Sequence, residues 1–145
     1  MIDASVWVAA ADSADALCGS SRAFLRAVMR LGEPIVLPAI ARLEVACALS
    51  RRLRNPERGV ALADDLLQSR LVTEMDLDPL LERAITLGTA SFLRAGDAFY
   101  AAAAAEGSAL IISWDRELIR RANATTPEDW LAQRAGSVND LGAPR

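Results

Sequence analysis

"LRAGDAFYAAAAAEGSALIISWDREL", residues Leu93 to Leu118, decides how the rest of the chain is read. An alanine-rich helical stretch runs into a short apolar segment, Ala109 to Ile112, and two aspartates, Asp97 and Asp115, flank the pair. Helix, buried strand and a helix start in that order are what an α/β unit looks like in sequence. Each aspartate has an ordinary use, because Asp accepts hydrogen bonds from the free N–H groups of a helix's first turn. The alternative is that the two converge on a metal ion.

Outward from this stretch, short apolar runs alternate with helical patterns. Met1 to Asp3, Ile35 to Leu37, Leu71 to Met75 and Ala109 to Ser113 read as strands, and a brief last strand is expected near Asn123 to Thr126. The alternation predicts an α/β domain with a mainly parallel sheet covered by helices on both faces. Helix signals are Ser20 or Ser21 opening a stretch that ends at Gly32, Asp78 before Pro79, and the cap Thr126-Pro127-Glu128-Asp129. Asn55-Pro56 breaks the long central helical region. With no internal repeat or linker, residues 1–135 form one domain and the aperiodic GSVNDLGAPR, residues 136–145, is expected to be a flexible tail.

Composition removes several kinds of chemistry. All sixteen basic residues are Arg, since Lys and His are absent. A Ser or Cys nucleophile usually needs a His or Lys base, and a phosphate-binding P-loop needs its Lys. Carboxylates must therefore carry any catalysis, and with a pKa near 4 they need help to activate water at neutral pH. A metal supplies that help. Cys18 and Cys47 are far apart, with no Cys-x-x-Cys, and read as small buried residues. No apolar run approaches the ~20 residues that span a bilayer, and no signal peptide opens the chain, so the expected location is the cytoplasm.

The acids fall where such a sheet would gather them. Asp3 ends the first strand, Asp115 follows the run "ALIIS", and Asp97 begins the helix "DAFYAAAAAEG". Ligand sites in open parallel sheets form outside the carboxyl ends of the strands. Glu44 is the fourth candidate: it is the sole acid in "ARLEVACALSRR", on the helical stripe of Ile40 and Cys47. A carboxylate in that position must reach the edge of the core, pair with a cation or bind a metal.

"IDASVWVA", "PAIARLEVACAL", "LRAGDAFYAAAA", "LIISWDREL" and "TPEDWL", in this order and spacing, resemble the PIN-domain ribonucleases, and among them the VapC-like toxins of type II toxin-antitoxin modules. The resemblance spans Met1 to about Leu131. It implies a three-layer α/β fold around a parallel sheet of about four to five short strands. It further implies that Asp3, Glu44, Asp97 and Asp115 hold Mg2+ or Mn2+, that Ser113 belongs to the catalytic set, and that Ser113 and Ser5 orient water or phosphate. Hard divalent cations prefer such oxygen ligands. The implied reaction is metal-assisted, in-line hydrolysis of RNA phosphodiester bonds, and the implied partners are a cognate antitoxin and a second copy of the chain. One departure is visible: only Met1 and Ile2 precede Asp3, so the first strand is either truncated or starts upstream.

The net charge of −3 opposes an RNA substrate, since nucleic-acid footprints are basic. Local clusters answer it in part. Arg51, Arg52, Arg54 and Arg58 follow Glu44, and Arg116, Arg120 and Arg121 follow Asp115; Arg51, Arg52 and Arg116 are the candidate phosphate contacts. Two other readings stay open. An aspartyl-phosphate phosphoryl-transfer domain also gathers acids at strand ends, but it needs a Lys and a second acid near Asp3. A non-catalytic protein-binding module would use the acids only as helix caps, and leaves Glu44 unexplained.

Overall fold

The first extended segment is cut short by its own acid. In the computed structural model, which describes residues 1–140, the Asp3 side chain accepts the Ser5 N–H at 3.1 Å and helix α1 (Ala4–Ala11) starts at once. Helix α2 (Cys18–Leu31) closes on Gly32, whose φ of 67° lets its N–H turn back onto the Val28 and Met29 carbonyls. It opens ahead of the serines expected to start it. Ser21 is instead buried within the helix, and its hydroxyl accepts from the Trp114 indole N–H at 2.8 Å.

Strand β1 (Ile35–Pro38) leads into α3 (Ile40–Leu53), and α3 packs against α4 (Pro56–Leu67) across the Asn55-Pro56 break. The break forms as its residues dictate: Asn55 accepts the Arg58 N–H at 2.9 Å and Pro56 takes the first turn. Strand β2 (Val72–Met75) pairs parallel with β1, Ile35 opposite Val72 and Pro38 opposite Met75. Asp78 and Pro79 lie in a 3-10 turn that feeds α5 (Leu81–Ser91). Then come α6 (Ala95–Glu106), α7 (Arg116–Arg121) and α8 (Pro127–Asp140). Thr126 caps α8, accepting the Asp129 N–H at 3.1 Å and donating to its carboxylate at 2.7 Å.

The sheet is smaller than the four to five strands expected. Among the described residues only β1 and β2 form a sheet; Ile2, Ile112 and Thr125 are joined by single parallel bridges. Local turn chemistry accounts for this. Asp3 diverts the first segment into α1, and Asn123, in the left-handed region at φ 54°, leaves little extended chain before the α8 cap. The bridges still align the segments: Asp3 N–H donates to the Ile112 carbonyl and Ser113 N–H to Thr125, at 2.9 and 3.0 Å. Met1, Ile2, Ile35, Val36 and Ile112 line one cavity, which sets the two paired groups side by side.

Trp7, Phe24, Ile35, Leu49, Tyr100 and Leu118 are the large fully buried side chains at the centre. Phe24 meets the Trp130 ring edge-on at 5.1 Å and so fastens α8 to α2. Helix α8 continues through residues 136–140, the first half of the segment read as an aperiodic tail; residues 141–145 lie outside the described residues. No helix among the described residues is long and apolar enough to cross a membrane.

Candidate active site

Because the bridges at Ile2 and Ile112 are parallel, the residues that follow them, Asp3 and Asp115, emerge at the same end. Glu44 arrives there on α3, directly after β1, and Asp97 on the first turn of α6. All four acids line one open cavity of about 520 Å³ together with Ser5, Cys47, Arg51, Arg94 and Gly96. Cys47 is thus exposed at this site, contrary to its reading as a buried residue, whereas Cys18 is buried.

Each carboxylate is held differently. Asp3 Oδ2 accepts from Ser113 Oγ at 2.8 Å, from the Ser5 hydroxyl at very short range, and from the Ser5 N–H. The same two hydroxyls accept backbone N–H groups, Ser5 from Trp114 at 3.0 Å and Ser113 from Asp115 at 2.8 Å. The serines therefore stitch Asp3 to the segment that carries Asp115. Ser5 is on the cavity wall, but Ser113 is fully buried behind it, so it holds Asp3 rather than meeting water or phosphate as expected.

Glu44 Oε2 accepts from the Tyr100 hydroxyl at 2.9 Å, and the Tyr100 hydroxyl oxygen in turn accepts the Ala4 N–H at 3.2 Å. Burial raises the Glu44 pKa, the Tyr100 bond opposes the rise, and the charges of Asp3 and Asp97 add to it. Burial and the adjacent carboxylates push the Tyr100 phenol far up, so it stays protonated and donates. Gly96 makes room for this arrangement: a Cβ there would come within 2.6 Å of Glu44 Oε1.

Asp97 does not begin its helix. Helix α6 starts at Ala95, and Asp97 makes no capping bond. Its Oδ2 accepts Arg94 Nε at 2.8 Å, and burial, outweighing that bond, raises its pKa. Asp115 does cap α7, its Oδ1 accepting the Glu117 N–H at 2.6 Å, while Oδ2 pairs closely with Arg94 Nη2. Burial would raise the Asp115 pKa, but the Glu117 N–H and Arg94 overcome it and the net shift is down. Arg94 itself is held well above its ordinary value by Asp97 and then Asp115.

Of the three arginines read as phosphate contacts, the structure brings Arg51 to the cavity but not Arg52 or Arg116. Arg52 is tied to Asp12 and Asp15 at 2.6 and 3.0 Å, an anchor for the turn between α1 and α2. Arg116 is exposed at the start of α7.

The PIN-domain family model matches residues 1–124. The chain belongs to the PIN domain family. All four acids, and Arg94, Gly96 and Tyr100 with them, fall inside the matched segment. PIN domains are generally metal-dependent nucleases. No match was found among curated proteins.

This PIN domain's residues suit a divalent cation. The donors are hard oxygens, Gly96 leaves space at Glu44, and a guanidinium already stands as cation between Asp97 and Asp115. Among the described residues, no three acids converge tightly enough as they stand to coordinate one ion. Each has a protein partner instead, and two of those partners, Arg94 and Tyr100, are not among the residues expected from sequence. Arg94 precedes Asp97 by three, a spacing that signals a helix-face pair. Tyr100 is the only tyrosine, within an alanine run, and reads as core.

Proposed function

We propose that the chain is a Mg2+- or Mn2+-dependent endoribonuclease, the toxin component of a type II toxin-antitoxin module of the VapC-like kind, acting in the cytoplasm. The observation that carries the reading is the single cavity lined by Asp3, Glu44, Asp97 and Asp115 in a PIN domain without Lys or His. The lack of a capping bond at Asp97 and the position of Glu44 inside α3 support it, since neither acid serves as a helix cap there.

Asp3, Glu44, Asp97 and Asp115 would hold the ion. When bound, it supplies positive charge that acidifies water and offsets the charge developing on the phosphate. The protein's own residues set the geometry for that chemistry. Ser5 and Ser113 fix Asp3, Tyr100 fixes Glu44, and the α7 cap fixes Asp115. Arg51, on the cavity wall and without an ion pair among the described residues, is placed to take a phosphate oxygen.

A cognate antitoxin and a homodimer are further parts of this reading. A protein partner that presents a cation to the cavity would compete with metal and RNA for the same carboxylates. The test is cleavage of single-stranded or loop RNA by purified protein with Mg2+ or Mn2+, loss of cleavage in chelator, and its loss again in Asp97→Asn. Cleavage that persists in chelator and in that variant would sink the reading.

A further inference from the structure

Arg94 stands where a metal's positive charge is wanted. Its Nε is 2.8 Å from Asp97 Oδ2 and 3.1 Å from Glu117 Oε2, and its Nη2 pairs with Asp115 Oδ2. One guanidinium thus spans two acids of the cavity that belong to different helices. Both oxygens of Asp115 are engaged, Oδ1 by the Glu117 N–H and Oδ2 by Arg94. Asp97 has one of its two oxygens so engaged.

We propose that Arg94 is a built-in counter-cation that must vacate Asp115 and Asp97 before a divalent ion can bind there. The inference rests on the metal-dependent nuclease reading and deepens it. The arginine backbone is fixed as the N-cap of α6, but its side chain is 62 % exposed, so the guanidinium can leave by rotating about its own bonds into water. Ion pairs that exposed hold weakly. At equal distance a divalent ion attracts these carboxylates more strongly than a monovalent guanidinium does, which favours the exchange. Release of Arg94 then leaves a second arginine beside Arg51 at the cavity mouth for the substrate's phosphates.

The competing arrangement has Arg94 stay in place and hold Asp115 in the orientation that a metal needs. Metal affinity separates the two. Mn2+ binding is measured by calorimetry, and the Mn2+-induced shift in melting temperature is measured in parallel, for wild type, Arg94→Gln and Arg94→Lys. Displacement predicts Mn2+ binding about tenfold tighter in Arg94→Gln, a lower melting temperature without metal, and a larger upward shift with it. Arg94→Lys, which keeps the charge but not the fork, should fall between. The gain should shrink when Asp115→Asn is added, because the contested ligand is then gone. Equal or weaker Mn2+ binding by Arg94→Gln overturns the displacement and leaves the nuclease reading standing; absence of binding in every protein overturns both.

Discussion

The Tyr100 hydroxyl ties Glu44 to the start of α1, donating to Oε2 at 2.9 Å while accepting the Ala4 N–H at 3.2 Å. Both contacts lie behind the cavity, and Tyr100 is fully buried. Tyr100→Phe keeps the ring packing and removes only the oxygen. It leaves a buried N–H without its partner and Glu44 without its donor, a loss of about 1–3 kcal/mol. Denaturant unfolding should show that cost, and RNA cleavage should fall at least tenfold because Glu44 is no longer held. Unchanged cleavage with reduced stability would make Tyr100 a structural residue alone.

Glu44 itself carries an electrostatic cost in the metal-free protein. Its pKa is raised in the fold, chiefly by burial, so over the pH range between its unfolded and folded values the native state binds the extra proton. Stability from this group therefore increases as pH falls through that range, and the cost is fully present above it, where both states are ionised. Glu44→Gln removes the charge and can still accept from Tyr100. In chelator the variant should equal or exceed wild type in stability at pH 7, and its advantage should shrink as the pH is lowered toward the ordinary glutamate range. Urea unfolding at several pH values measures this; an advantage that grows on acidification would contradict the burial argument.

Asp115 combines a place in the cavity with a helix cap, whereas Asp97 has only the first. Asp115 caps α7 and Asp97 caps nothing, so Asp115→Ala should lose about 1 kcal/mol that Asp115→Asn retains, while the two Asp97 variants should show no such difference. The metal response should fail in all four. For a dissociation constant of ~1 mM, 10 mM Mg2+ would stabilise wild type by about 1.4 kcal/mol, roughly 3 to 5 °C in melting temperature. Melting curves with and without Mg2+ are the measurement. A full shift in Asp97→Asn would take that residue out of the metal site.

These contrasts also mark how far sequence alone reaches. Glu44 was conspicuous because no other acid shares its helical segment, and Asp3 and Asp115 because turn chemistry places acids at the ends of apolar runs. The edges of the sheet were harder: Met1 to Asp3 and Asn123 to Thr126 have strand composition, yet a cap and a left-handed Asn reduce each to one bridge. Arg94 was hidden for a different reason. Its contact with Asp97 is a three-residue spacing, but its contact with Asp115 spans 21 residues and exists only once the chain has folded. Tyr100 likewise reaches Glu44 across 56 residues, and nothing in an alanine run announces that its hydroxyl has a partner.

The neighbouring arginines Arg51 and Arg52 should behave as opposites. Arg51 lines the cavity without an ion pair among the described residues, whereas Arg52 is bound to Asp12 and Asp15 and faces the turn between α1 and α2. A phosphate contact contributes through counterion release, so Arg51→Ala should weaken RNA binding at low salt and reduce the dependence of log K on log salt by about one unit, or somewhat less on a single strand. Arg52→Ala should leave that slope alone. Its loss should appear as a small drop in stability, within about 1 kcal/mol, because its side chain is 41 % exposed and solvent screens both pairs. Salt-titrated RNA binding by a catalytically inactive Asp97→Asn background, with and without each arginine, makes the comparison without cleavage of the probe. If Arg52→Ala lowers the salt slope and Arg51→Ala does not, the RNA path runs over the α1–α2 turn rather than across the acidic cavity.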